Sequence, residues 1–184
     1  VNADAHNEFV CLSANANGGQ DLVFAHSGFT HAMALNEADY FAMASDGAAI
    51  IWSPRTNVDL YGETARVLAF ARMNGLIALG TDWLITGSMN MLREMVCADH
   101  LNRTYFDGFF SDYEIWRMST LNGAKVSAAD AYLGAIQPGL LADITIFAKG
   151  EHELHEAVIH AGAGDVVLLL AAGEALYGAA ALVE

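Results

Sequence analysis

At 184 residues the chain has the size of one domain or slightly more, and 8 Lys+Arg against 22 Asp+Glu leave a net charge of −14. That balance argues against a nucleic-acid partner, which needs a basic surface to displace counterions, and against an anionic membrane surface. With 54% hydrophobic and 16% charged residues the chain can build a core, and no apolar run reaches the ~18 residues of a spanning helix. Cys11 and Cys97 stand far apart with no CxxC, which excludes a disulfide framework and a cysteine-built zinc site. The opening Val1-Asn2-Ala3-Asp4 has neither a basic stretch nor an apolar run and lacks Met. It reads as an internal start rather than a signal peptide.

In chain order, Ser13–Gly19 is a loop by composition. Asp21–Thr30 is expected to be a strand or strand-plus-turn. Asn36–Ser45 is a helix, with Asn36 as N-cap, Asp39 three residues on, and Gly47 placed to end it. Ala48–Trp52 is a wholly apolar strand, buried on both faces and stopped at Ser53-Pro54. Thr64–Met73 is a second helix, with Val67, Leu68 and Ala71 on one face, and Leu76–Leu79 a further strand ending at Gly80-Thr81-Asp82. Strand alternates with helix over spans long enough for parallel pairing, as in a doubly wound sheet or a β/α barrel. Longer helices follow over Ser88–Tyr105 and Asp112–Ala129. After a turn at Gly134–Gly139, the stretches Ala142–Phe147, Ala157–Ile159, Val166–Leu170 and Ala175–Tyr177 read as strands. A boundary near Ala131 divides the chain into residues 1–130 and 131–184.

Functional groups in such folds sit just past the carboxyl ends of strands. His31, the run Ser53–Asn57, and Asp82 meet that rule. An imidazole and a carboxylate there suit a divalent metal, or a base with an orienting group. The bland alternatives are a turn-forming Asp and a merely hydrogen-bonded His. His26 reads as structural. Glu151–Glu156 with His160 is not HExxH, since His155 and His160 share no helix or strand face, and reads as a solvated acidic connection. Asn102-Arg103-Thr104 matches the glycosylation sequon but falls in a helix, and Met89, Met91 and Met95 read as core packing. GxGxxG, P-loop and GxSxG patterns are absent.

The runs Trp52-Ser53-Pro54-Arg55-Thr56-Asn57, Leu79-Gly80-Thr81-Asp82-Trp83 and Gly87-Ser88-Met89-Asn90-Met91-Leu92-Arg93-Glu94 resemble the amidohydrolase superfamily, nearest its cytosine deaminase, chlorohydrolase and imidazolonepropionase branch. Thr30-His31-Ala32-Met33-Ala34-Leu35 matches the branch's motif on barrel strand six. Gly134-Ala135-Ile136-Gln137-Pro138-Gly139 with Ala142-Asp143 resembles the signature leading into its small β-sandwich. The resemblance implies a partial (β/α)8 barrel, about strands six to eight, over residues 1–130, then the C-terminal part of a β-sandwich over 131–184. The family's H-x-H motif and its fifth-strand His are absent, and His6 matches the helix after strand five. The chain is therefore expected to be the C-terminal portion of an enzyme, inactive alone.

For the intact enzyme the resemblance implies hydrolysis of a non-peptide carbon–nitrogen bond by metal-activated water. The metal would be zinc, with iron as the other option. The substrate would be a small molecule carrying an amide, cyclic amide or amino-heterocycle. Asp82 would be metal ligand and proton carrier, and His31 would hold the water or the oxyanion. Asn57, Arg55 and Trp83 would line the pocket. The competing expectation is a non-catalytic half-barrel that assembles with a partner chain. Unpaired barrel edges favour self-association, so a homo-oligomer stays open. The compartment is undetermined, with the cytoplasm slightly favoured.

Overall fold

The computed structural model of the chain describes residues 3–13 and 20–183; most of the loop expected over Ser13–Gly19 lies outside them. The first helix, α1 (Ala3–Leu12), buries Phe9 edge-on against Phe29, in the strand β1 (Gly28–Thr30). Only these last three residues of the expected Asp21–Thr30 strand pair. Upstream, a turn closes from Ser27 N–H to Phe24 O at 2.9 Å, and His26 adopts a φ of 73°, which takes the chain out of extended geometry.

The helix α2 (Glu37–Asp46) starts as expected. Asn36 accepts from the Ala38 and Asp39 amides, Asp39 returns a bond to the Asn36 amide, and Gly47 ends the helix in the left-handed region. Two strands follow the expected apolar runs, β2 (Ala49–Trp52) and β3 (Leu76–Leu79). They form a parallel sheet in the order β1-β2-β3, with Gly28 opposite Ala49 and Ile50 opposite Ile77. Between β2 and β3 lie two helices. The first, α3 (Pro54–Tyr61), was not anticipated: Pro54 sits at the first helical position and Gly62 closes the helix left-handed, a pairing that marks helix ends. The second, α4 (Val67–Arg72), is shorter than the expected Thr64–Met73.

Beyond β3, α5 (Met91–Tyr105) begins three residues later than expected because Asn90 caps it, accepting from Arg93 N–H. The expected Asp112–Ala129 helix is two helices, α6 (Asp112–Ser119) and α7 (Leu121–Val126). The hydroxyls of Ser119 and Thr120 both take the Trp116 carbonyl, at 2.7 and 3.2 Å. Thr120 N–H bonds Arg117 O instead, so side-chain competition breaks the ladder.

The tail forms a second, antiparallel sheet, β4 (Ile144–Phe147), β5 (Val166–Ala171) and β6 (Glu174–Gly178), in that order. Ala172 and Gly173 make the β5–β6 turn with φ of 49° and 87°, the left-handed pair that tight hairpins require. Ala157–Ile159, expected as a strand, instead ends a helix, α8 (Leu154–Ile159). This helix packs on α5 and α6, and Ile159 is fully buried among the residues of the main core, with Trp52, Tyr40, Phe70 and Ile115. Tertiary burial overrides the strand preference of Val158 and Ile159. A short helix, α9 (Ala180–Val183), closes the described chain. No helix among the described residues is long and apolar enough to cross a membrane.

Candidate active site at the strand ends

Because the three strands are parallel, their carboxyl ends share one edge of the sheet. His31 follows β1, and its amide donates to Ile51 O at 3.1 Å; Gly80 after β3 donates to Trp52 O at 2.9 Å. Past β2's end, the flanking segments meet: His31 Nε2 lies 3.4 Å from Asp82 Oδ2, with side chains 22% and 25% exposed. Both are open enough to meet a ligand and covered enough to be held. His31, Ala32 and Asp82 all adopt positive φ, of 66°, 52° and 55°, which costs energy for residues with a Cβ. The loop after Asp82 is closed by Ser88 N–H donating to Thr81 O at 3.1 Å. A Cβ on Gly87 would collide with that same carbonyl, so only glycine fits.

Asn57, fully buried in the first turn of α3, fixes the imidazole. Its amide is satisfied at both ends when the nitrogen donates to Ser53 O (2.6 Å) and His31 Nδ1 (3.1 Å) and the oxygen accepts from Ala65 N–H (3.2 Å). Nδ1 is then an acceptor, so the neutral ring carries its proton on Nε2, facing Asp82. Tyr61, at the other end of α3, sets its ring edge-on to the imidazole at 5.8 Å. A cleft of roughly 540 Å³ opens beside His31, between Phe9, Phe29, Met33 and Tyr61.

The structure therefore brings His31, Asp82 and Asn57 together. No side-chain hydrogen bond or ion pair among the described residues joins Arg55 or Trp83 to His31 or Asp82. Arg55 is exposed and meets α5 through its backbone amide, which donates to Glu94 Oε1 at 3.1 Å. Trp83 begins an exposed apolar run with Leu84 and Ile85. Glu94 was missed by sequence reasoning. It is fully buried; burial pushes its carboxyl above the usual range, against the Ser88 hydroxyl and the Arg55 amide, and the Asp82 charge pushes the same way. The available signal was a carboxylate on the same helix face as Ala98 and Leu101, both buried. Nearby, burial raises the Cys97 thiol to about 11, so it is no nucleophile at neutral pH.

The other candidates are structural. His6 lies in α1 and bonds Asp39 Oδ2 at 2.8 Å. His26 Nδ1 is 3.1 Å from Lys125 O. Asn102 is buried, and its amide clamps both backbone groups of Phe110 at 2.7 and 2.9 Å, leaving no glycosylation acceptor. Met95 is core, as expected, but Met89 is exposed. The stretch expected as a solvated acidic connection is exposed over residues 151–154 and is tied down at its end, where α8 begins. Glu156 meets Arg103 at 3.1 Å, and that bond holds its carboxyl below the usual range. His160 meets Asp99 at 3.2 Å and stacks on His152 at 4.6 Å.

Carboxylate and imidazole are donor types that suit zinc, but the pair is short of a full set. Among the described residues no three His, Cys, Asp or Glu side chains are grouped to hold a metal.

Comparisons with known proteins bear on the family and the fold. The amidohydrolase family model matches residues 3–176. A 5-methylthioadenosine/S-adenosylhomocysteine deaminase of Pyrococcus abyssi is 31% identical over 154 residues, 78% of this chain and 36% of that protein. One of the same name from Clostridium tetani is 29% identical over 119 residues, 63% of this chain and 28% of that protein. Among solved structures, an adenosine deaminase from Xanthomonas campestris with bound zinc superposes with a TM-score of 0.78 at 22% identity, covering 93% of this chain and 43% of that one. The E. coli guanine deaminase gives 0.76 at 19%, covering 97% and 47%. The chain spans less than half the length of each of these proteins. The family match over nearly all of its residues is decisive: the chain belongs to the amidohydrolase family.

Proposed function

We propose that this chain carries part of the active centre of a hydrolase that deaminates a small amino-heterocycle of the aminopurine type. The observation that carries the reading is the His31–Asp82 pair, 3.4 Å apart at neighbouring strand ends. In this reading the parallel sheet is strands six to eight of a (β/α)8 barrel over residues 1–130, and the tail over 131–184 is the second half of a β-sandwich. Amide and cyclic-amide substrates remain within the same chemistry. A net charge of −14 disfavours a polyanionic substrate and suits an uncharged base or nucleoside.

In the whole protein the centre would hold a divalent metal, zinc first and iron second, which when bound would lower the pKa of a water. This chain contributes the Asp82 carboxylate to it and not the full donor set. Asp82 takes a proton from the attacking water and passes it to the departing amino nitrogen. A carbon–oxygen bond forms, the carbon–nitrogen bond breaks, and ammonia leaves. An amide at position 82 cannot carry that proton. His31, with its proton on Nε2, donates to the oxygen that adds to the ring carbon, and Asn57 keeps that tautomer. Arg55 and Trp83 are assigned to the pocket rim.

The test is ammonia release from methylthioadenosine, adenosine and guanine, with zinc or iron. It compares the 184-residue chain with the product of the continuous coding frame around it. The longer product is expected to deaminate one of these and Asp82→Asn to abolish it, with the short chain silent. A longer product inert on the panel, or an active Asp82→Asn, overturns the reading. The alternative is a non-catalytic half that assembles with a partner chain, in which the His31–Asp82 pair, without a third grouped donor among the described residues, holds no metal. A frame confined to these residues, with no deamination at any metal concentration, selects it.

A further inference from the structure

We infer that Glu94 is a positioning residue that bolts the support of His31 to the loop carrying Asp82. The argument starts at the head of α3. Its N-cap, Ser53, makes no side-chain capping bond, and its buried hydroxyl has no partner among the described residues. Pro54 at the next position has no N–H to give. Arg55 therefore presents the first free amide of the helix, and its acceptor is Glu94 Oε1 at 3.1 Å, from a helix 39 residues further on. A carboxylate from α5 does the work that the local cap leaves undone, at the positive end of the α3 dipole.

The rest of the connection runs both ways. Two residues past Arg55, Asn57 holds the imidazole of His31, so whatever seats the first turn of α3 seats that ring. On the other side, α5 follows closely on the loop of residues 81–88, and Ser88, whose amide closes that loop on Thr81, is buried with its hydroxyl beside the Glu94 carboxyl. Glu94 itself is fully buried, and its second oxygen lies by the Ser88 hydroxyl with no hydrogen bond of good geometry among the described residues. A buried, half-satisfied carboxylate costs stability where an apolar side chain would not. Its place against the head of α3 identifies what it supplies: the spacing between the two reacting side chains.

The inference takes His31 and Asp82 as the reacting groups from the proposed function, but its test needs no substrate. Hydrogen exchange at the Arg55 amide and the ¹⁵N shifts of the His31 ring are read in the 184-residue chain. Glu94→Gln keeps an acceptor and is expected to leave both as they are. Glu94→Asp withdraws the acceptor by one methylene, and Glu94→Met removes it. Both should speed Arg55 exchange by at least about tenfold, the loss of one buried hydrogen bond, and shift the ring toward mixed tautomers, while Ile50 in the central strand stays protected. Parent-like exchange and ring shifts in Glu94→Asp, or protection lost equally at Arg55 and Ile50, overturns the inference. Glu94→Asp also serves if Glu94→Met does not fold. Absence of deaminase activity would leave these readouts unchanged, so the two readings fail separately.

Discussion

The two sheets of this chain are built from similar residues and held very differently. In the parallel sheet the central strand is Ala-Ile-Ile-Trp, with Ala49, Ile50 and Trp52 almost completely buried and Ile50 and Trp52 in the main core. In the antiparallel sheet β5 is Val-Val-Leu-Leu-Leu-Ala, at least as apolar, yet every residue along it is only half-buried, and β6 is largely exposed. Apolar composition alone does not make a core; a second layer does. The tail's firmest tie to the main core is α8 and its buried Ile159, not the sheet itself.

Truncating side chains in each region should break the comparison most sharply. Trp52 donates its indole N–H to Thr64 Oγ1 at 2.7 Å and packs on Phe106 and Phe110. Trp52→Ala is expected to cost about 3–5 kcal/mol, seen as collapse of the urea midpoint. The same truncation in the tail, Leu168→Ala, should cost only about 1–1.5 kcal/mol, the transfer energy of a half-buried leucine; equal losses would mean the tail has a second layer in solution. Asn36→Ala removes the capping box of α2 and should cost about 1 kcal/mol, within the parallel half alone. The smallest effect is in pH dependence. Glu94's folded pKa is raised by burial. Between the unfolded value near 4.5 and that higher one, the native state holds a proton the unfolded chain has lost, so stability falls as pH rises. Glu94→Gln should flatten that fall in urea titrations from pH 4 to 8, and an unchanged slope would place its origin elsewhere.

What was legible in the sequence was what local chemistry decides. Asn36 and Asp39 declared the start of α2, an uninterrupted apolar run declared β2, and the motifs around His31 and Asp82 pointed to residues that the fold does bring together. What was illegible depended on distant partners. Ala157–Ile159 has strand-like residues and becomes helix because α5 and α6 are there to cover it. The break at Thr120 needs neither Pro nor Gly, only two hydroxyls competing for one carbonyl. Glu94 gives no sign in one dimension that its acceptor is wanted 39 residues earlier. The head of α3 was legible too, since Pro54 and Gly62 already bracketed that helix.

The left-handed backbone at His31 and Asp82 bears on how such a protein drifts. Left-handed backbone costs up to about 1–2 kcal/mol for most residues with a Cβ and less for Asp and His, so a lineage judged on folding alone would be free to exchange them for Gly or Asn. A chain that lost its chemistry long ago should have shed both residues ahead of its buried core. Surveyed across descendants of one ancestor, these two positions would act as a clock for how recently selection for activity ended.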